Sequence, residues 1–265
     1  MNKRVVVLFI GFALIALVLI LNGTVFTIDT IDVDFDLPQS EKVEQELSAS
    51  VVSASGLKIG KNVFTVSEST MVKNIQAKVP NVKILGVERI FPNKVVIHAS
   101  RRIAVLAIPF KQNQSSNFNY AIVDSEMVVL EIKDELPRGL SSVLGFQLIG
   151  NYNIAVGKEL SVKFGKEVYY LQNIAVSFMK AGLNSEEFSS FVSKISFVGQ
   201  MIHILTNSGV DIILGSNGEL TSEEISARVM KSYEWYKGFS ETAPEIKSGY
   251  AYYNTSLCKF VWNDN

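Results

Sequence analysis

Residues 5–21 form an uninterrupted apolar run of about 17 residues, close to the shortest stretch that crosses a bilayer as a helix. Such a run either anchors a chain in a membrane or is removed as a leader. Lys3 and Arg4 precede it without an offsetting acid, and the positive-inside bias then keeps the N-terminus in the cytoplasm. Val25 and Phe26 can extend the run by a turn beyond Asn22-Gly23-Thr24. A leader peptidase needs two small residues spaced by one. Here the run ends Val18-Leu19-Ile20-Leu21, Asn22-Gly23 follows, and there is no Ala-x-Ala. No cysteine follows the run, so it is not a lipid-attachment signal. The expectation is a cytoplasmic stub at 1–4, an uncleaved anchor at 5–26, and the remainder folded outside the cytoplasmic membrane.

The remainder has what a core requires. Hydrophobic residues make up 48% of the chain, which argues against disorder. With 25 basic and 26 acidic residues the formal net charge is -1, so no whole-chain field draws it to nucleic acid. Cys258 is the only cysteine and cannot form an internal disulfide. Packing alone must hold the fold.

The first half alternates clearly. Ile31, Val33, Phe35 and Leu37 oppose Asp32, Asp34 and Asp36, which predicts a half-buried strand over 27–37. Pro38 ends it, and Ser40 is placed to cap a helix whose apolar face is Val43, Leu47 and Val51. That helix should stop near Gly56. Residues 56–64 form a loop with two glycines, and Phe64 is expected to plug the core. A second helix starts at Ser67, turns Val72, Ile75 and Val79 to one side, and ends at Pro80. Strands at 82–90 and 95–102 follow, joined by Phe91-Pro92-Asn93-Lys94.

The second half is less regular. Residues 111–119 read as a polar loop, and 120–123 with 127–130 as a hairpin around Asp124-Ser125-Glu126. Leu136-Pro137-Arg138-Gly139 is a turn. Residues 167–180 are helical, with Val168, Leu171, Ala175 and Phe178 aligned. Residues 194–215 predict a three-stranded meander with turns at Gly199-Gln200 and Asn207-Ser208-Gly209. Thr221 and Glu224 make a capping box for a helix whose stripe is Ile225, Val229 and Tyr233. Tyr250-Ala251-Tyr252-Tyr253 and then 257–262 close the chain as strands. The fold class expected is α+β: a transmembrane helix, a βααββ domain over 27–104, and a mixed β-rich domain with two flanking helices over 105–265.

Catalytic signals are weak. Ser55-x-x-Lys58, Ser115-x-Asn117 and Lys247-Ser248-Gly249 occur in the order of a penicillin-recognising serine enzyme. That nucleophile must open a buried helix, whereas Ser55 closes one and Gly56 and Gly60 break any continuation. His98 and His203 each sit alone in a strand, and no Cys/His/carboxylate spacing suggests zinc. There is no nucleophile elbow or phosphate-cradling loop. No cofactor, metal or small-molecule substrate is expected. A sensory or adhesive ectodomain on one anchor is the alternative, although residues 1–4 cannot host an internal output domain.

Several segments, taken in order, resemble one family. Gly56-Leu57-Lys58-Ile59-Gly60-Lys61-Asn62-Val63-Phe64 is similar to a glycine loop ending in Asn-x-Phe. Pro80, Val82 and Val87-Glu88-Arg89-Ile90-Phe91-Pro92-Asn93 resemble its strand hairpin. Val123-Asp124 and Leu136-Pro137 resemble features of its second domain. The chain resembles the FtsQ/DivIB bacterial cell-division proteins, whose first extracytoplasmic domain is a POTRA module of βααββ order. Arg101, Ala104 and Met127 depart from it, standing where the family tends to have Glu, Pro and Gly. The resemblance implies a non-enzymatic, bitopic divisome scaffold. Such a scaffold links small coiled-coil partners of the FtsB/FtsL type to septal peptidoglycan synthases at the division septum. It also implies that the final strands form the docking edge, with Tyr253 and Trp262 facing the partner across the loop Asn254-Thr255-Ser256. Tyr250 and Tyr252 share that strand, and aromatic residues with polar tips suit an interface.

Overall fold

A computed structural model describes residues 3–36, 40–112, 118–144, 148–150, 154–160, 165–199, 201–216, 220–242, 249–253 and 258–262. The chain divides into two compact units, Met1–Arg102 and Ile103–Asn265.

The first unit begins with helix α1 (Lys3–Ile20) and a π turn at Leu21–Val25. Leu8, Phe12, Leu14, Ile15 and Val18 of α1 are all more than half exposed, so apolar side chains ring the helix. Then come strand β1 (Thr30–Phe35), helix α2 (Glu41–Ser55), a 3-10 turn (Val63–Thr65), helix α3 (Glu68–Lys78), and strands β2 (Val82–Ile90) and β3 (Lys94–Arg101). The strands form a sheet in the order β1-β3-β2, with β1 parallel and β2 antiparallel to β3. A parallel pair needs a long crossover, and α2 and α3 supply it. β1 keeps the alternation read from sequence: Ile31, Val33 and Phe35 pack on the core while Asp32 and Asp34 are exposed. Gly56 ends α2 at φ 73°, a left-handed conformation that favours glycine. Ser40 does stand at the start of α2, but it caps with its backbone carbonyl, which accepts from Glu44 N at 3.0 Å, and its side chain makes no capping bond. In α3, Met71 rather than Val72 joins Ile75 and Val79 in the core.

Phe64 does not plug the core. It is 56% exposed, and its neighbour Val63 is fully buried instead. The Asn62 side chain accepts the Phe64 N–H at 2.9 Å and starts the 3-10 turn, which points Val63 inward and Phe64 outward.

Among the described residues the second unit is built on one ten-stranded sheet. Its elements are β4 (Leu106–Gln112), β5 (Asn119–Val123), β6 (Val129–Lys133), β7 (Ser141–Leu144), β8 (Leu148–Gly150), helices α4 (Lys166–Lys180) and α5 (Ser185–Phe191), β9 (Val192–Val198), β10 (Met201–Thr206), β11 (Val210–Ser216), α6 (Ser222–Thr242), β12 (Gly249–Tyr253) and β13 (Cys258–Trp262). The path runs β13-β12-β11-β10-β9-β7-β4-β5-β6, and β8 pairs with β4. Buried residues of α4, α5 and α6 share one core with Ile195, Ile202, Ile204, Val210, Ile212 and Leu214, so helices cover that face of the sheet.

Two elements here had no clear sequence signal. β4 is buried along Val105, Leu106, Ala107, Ile108 and Phe110, so it shows no alternation. Its Pro109 falls where pairing with β7 has ended at Ala107 and pairing with β8 has yet to begin at Phe110. α5 makes three flanking helices among the described residues where two were expected; Asn184 and Glu187 form its capping box.

Candidate partner-binding edge

The aromatic residues singled out from sequence lie on the last two described strands: Tyr250, Tyr252 and Tyr253 on β12, and Trp262 on β13. α6 carries the chain back along the sheet, so β12 pairs parallel with β11, and β13 returns antiparallel to β12. The edge is therefore one strand further on than the tyrosines. β12 is paired on both sides, whereas among the described residues β13 ends the path and has no strand on its other side. The proposed connecting loop Asn254-Thr255-Ser256 lies outside the described residues.

Register fixes the backbone neighbours of the four aromatics. Tyr250 is opposite Asp211 of β11 and Val261 of β13, Tyr252 opposite Ile213 and Lys259, Tyr253 opposite Cys258, and Trp262 opposite Gly249. Rows of paired residues cross the sheet: Ser196, His203, Ile213, Tyr252 and Lys259 form one, and Lys194, Leu205, Asp211, Tyr250 and Val261 the next.

Both histidines find cross-strand partners that spacing in sequence did not reveal. His203 Nδ1 lies 2.8 Å from Asp211 Oδ2, and His98 lies 3.2 Å from Asp34 and 3.4 Å from Glu88. Each pair is sheet surface chemistry: β register makes neighbours of residues far apart in the chain. Among the described residues no group of His, Cys, Asp and Glu is placed to hold a metal ion.

Two titratable groups of the described helices are shifted. Burial pushes the Tyr233 phenol above its ordinary range, with Glu187 and Tyr236 adding to the shift. Its ring packs 5.8 Å from Phe178 and 5.3 Å from Phe191, closing the junction of α4, α5 and α6. The Glu223 carboxylate is held below the usual range by its own backbone N–H at the start of α6, and then by Ser222.

The serine-enzyme pattern does not assemble at its first residue. The Ser55 hydroxyl is buried at the end of α2 and donates to the Val52 carbonyl at 2.7 Å, while Leu57 N donates to it at 3.1 Å. Ser115, Asn117, Lys247 and Ser248 lie outside the described residues.

Comparison with known proteins agrees with this topology. The model of the FtsQ-type POTRA domain matches residues 44–100, a span from α2 to β3. The resemblance to the FtsQ/DivIB family holds. A curated relative, "Cell division protein DivIB" of Clostridium tetani (strain Massachusetts / E88), is 25% identical over 174 residues. That match covers 64% of this chain and 59% of the relative, so this chain spans less than two thirds of the relative's length. Similarity to FtsQ/DivIB thus rests on residues 44–100, from α2 to β3, together with a longer, more dilute similarity.

Proposed function

We propose that this chain is a membrane-anchored scaffold of the bacterial division complex and has no catalytic role. The observation that carries the reading is the FtsQ-type POTRA match on a unit of βααββ order. Similarity to a DivIB relative supports it over a longer span. In this reading residues 1–4 are the cytoplasmic stub, 5–26 the transmembrane anchor, 27–104 the POTRA-like domain and 105–265 the β domain. The chain crosses the cytoplasmic membrane once and works outside it, at the septum.

Among the described residues no helix is long and apolar enough to cross a membrane. The anchor therefore rests on the sequence run at 5–21, its flanking Lys3 and Arg4, and the apolar side chains exposed around α1. A helix of this kind exposed to water on every side would be costly, at about 25 cal/mol per Å² of apolar surface.

The partner surface is the β13 edge with the neighbouring aromatic positions Tyr250, Tyr252, Tyr253 and Trp262. An edge strand accepts another chain through main-chain hydrogen bonds, and flanking aromatics add selectivity. Small coiled-coil division proteins of the FtsB/FtsL type are the partners proposed, and through them the septal synthases. Removal of residues 258–265 should abolish capture of such partners in detergent pull-downs, and Tyr252→Asp should weaken it about tenfold, which is roughly 1.4 kcal/mol. Undiminished capture after the deletion, with circular dichroism unchanged, would refute the edge.

A further inference from the structure

The first unit carries an aromatic cluster at the margin of its core, in which Phe26 packs on the buried Ile28, Val63, Val66 and Val95 while the other two rings stay exposed. Phe26, Phe64 and Phe91 meet in a triangle, with ring centroids 5.2, 5.3 and 6.4 Å apart. Phe64 is 56% exposed and Phe91 54%. Ile59 (69%), Ile90 and Val25, which belong to the same three segments as the rings, are exposed too. The rings come from three separate segments: the exit from α1, the glycine loop and the β2–β3 turn. Backbone bonds tie those segments together. Ile28 N donates to Lys61 O at 2.7 Å, Gly60 N to Ile28 O at 2.8 Å, Val63 N to Phe26 O at 2.8 Å, and Asp29 N to Asn93 O at 2.8 Å. The patch is thus fixed to the end of the unit at which α1 enters.

Its charges are ordered as well. Lys58 and Lys61 flank Ile59 in the loop. Asp29 is the acid closest in sequence to the α1 exit, and Lys94 at the turn is paired with Asp32 at 2.6 Å. Asp34 and Asp36 come later, as β1 leads away from that end. Apolar side chains between lysines match a lipid–water boundary: rings and Ile59 enter the acyl margin while the lysine ammonium groups reach anionic headgroups.

We propose that this end of the POTRA-like unit, through Ile59, Phe64 and Phe91 with Lys58 and Lys61, seats in the anionic lipid–water interface of the bilayer that holds α1. The proposal rests on the anchor reading above. Its consequence is mechanical: the unit stands in a fixed pose on the membrane instead of swinging on a tether.

The test uses the full chain carrying Cys258→Ser, with one bimane-labelled cysteine introduced as Ile59→Cys, Phe64→Cys or Leu85→Cys. The protein is reconstituted in vesicles of phosphatidylcholine and phosphatidylglycerol in equal parts, doped with a lipid nitroxide quencher. Leu85 is the control, since it is 52% exposed yet lies on β2 five residues before Ile90, about 17 Å from the turn. Quenching at 59 and 64 should exceed that at 85 several-fold. Lys58→Glu with Lys61→Glu, or vesicles of phosphatidylcholine alone, should at least halve the difference. Equal quenching at all three sites, with the protein retained through carbonate extraction, would overturn this inference and leave the anchor standing. Loss of the protein on extraction would remove the anchor, and this inference with it.

Discussion

Two neighbouring residues in the glycine loop show how far a side chain's role depends on one hydrogen bond. The Asn62-Val63-Phe64 segment offers two candidates for the core, and size alone favours the phenylalanine. The Asn62 side chain decides otherwise by opening a 3-10 turn. Val63→Ala should therefore cost about 2 kcal/mol in denaturant unfolding, from lost methyls and the cavity left behind. Phe64→Ala should cost less than about 1 kcal/mol despite removing the larger group. Met127 makes the complementary case. Its backbone adopts φ 62°, where the family tends to have glycine, yet its side chain is fully buried. Asp124 holds this turn, with Oδ1 accepting from Glu126 N at 3.0 Å and Val128 N at 2.8 Å. Met127→Gly relieves a left-handed penalty of about 1 kcal/mol but empties a core site worth about 3 kcal/mol. Net destabilisation of about 2 kcal/mol is expected by thermal or chemical unfolding. The sequence marked this position as a departure but could not show that burial compensates for it.

At the scale of elements, legibility followed exposure. β1, α4, the β9–β11 meander and α6 each have one covered and one open side, so their periodicity survives in the sequence. β4 is enclosed by β5 on one side and β7 and β8 on the other, and its buried run looks like an aperiodic stretch. α5 is only seven residues long, too short for a helical stripe to be read, and only the capping-box spacing of Asn184 and Glu187 could have marked it. Caps were otherwise informative. Thr221 Oγ1 accepts from Glu224 N at 3.2 Å, and Glu224 Oε2 accepts from Thr221 N at 2.8 Å, as the capping box requires. Thr221→Ala should destabilise the second unit by about 1 kcal/mol in an unfolding titration. Of the candidate site, the strands were readable but the edge was not. Tyrosines advertise β12, whereas the position of β13 beyond it is a matter of pairing, which composition does not encode.

In the division scaffold proposed above, the apolar N-terminal helix is to hold the POTRA-like unit and the large β sheet on the outer side of the membrane, and the β13 edge is to recruit the coiled-coil partners. Both tasks matter only if the protein is where septa form. The most direct measurement is fluorescence imaging of a functional fusion in dividing cells of the source organism. A band at midcell that appears with constriction, and disperses when residues 258–265 are removed, is the predicted result. A uniform envelope signal through the division cycle would contradict the scaffold reading.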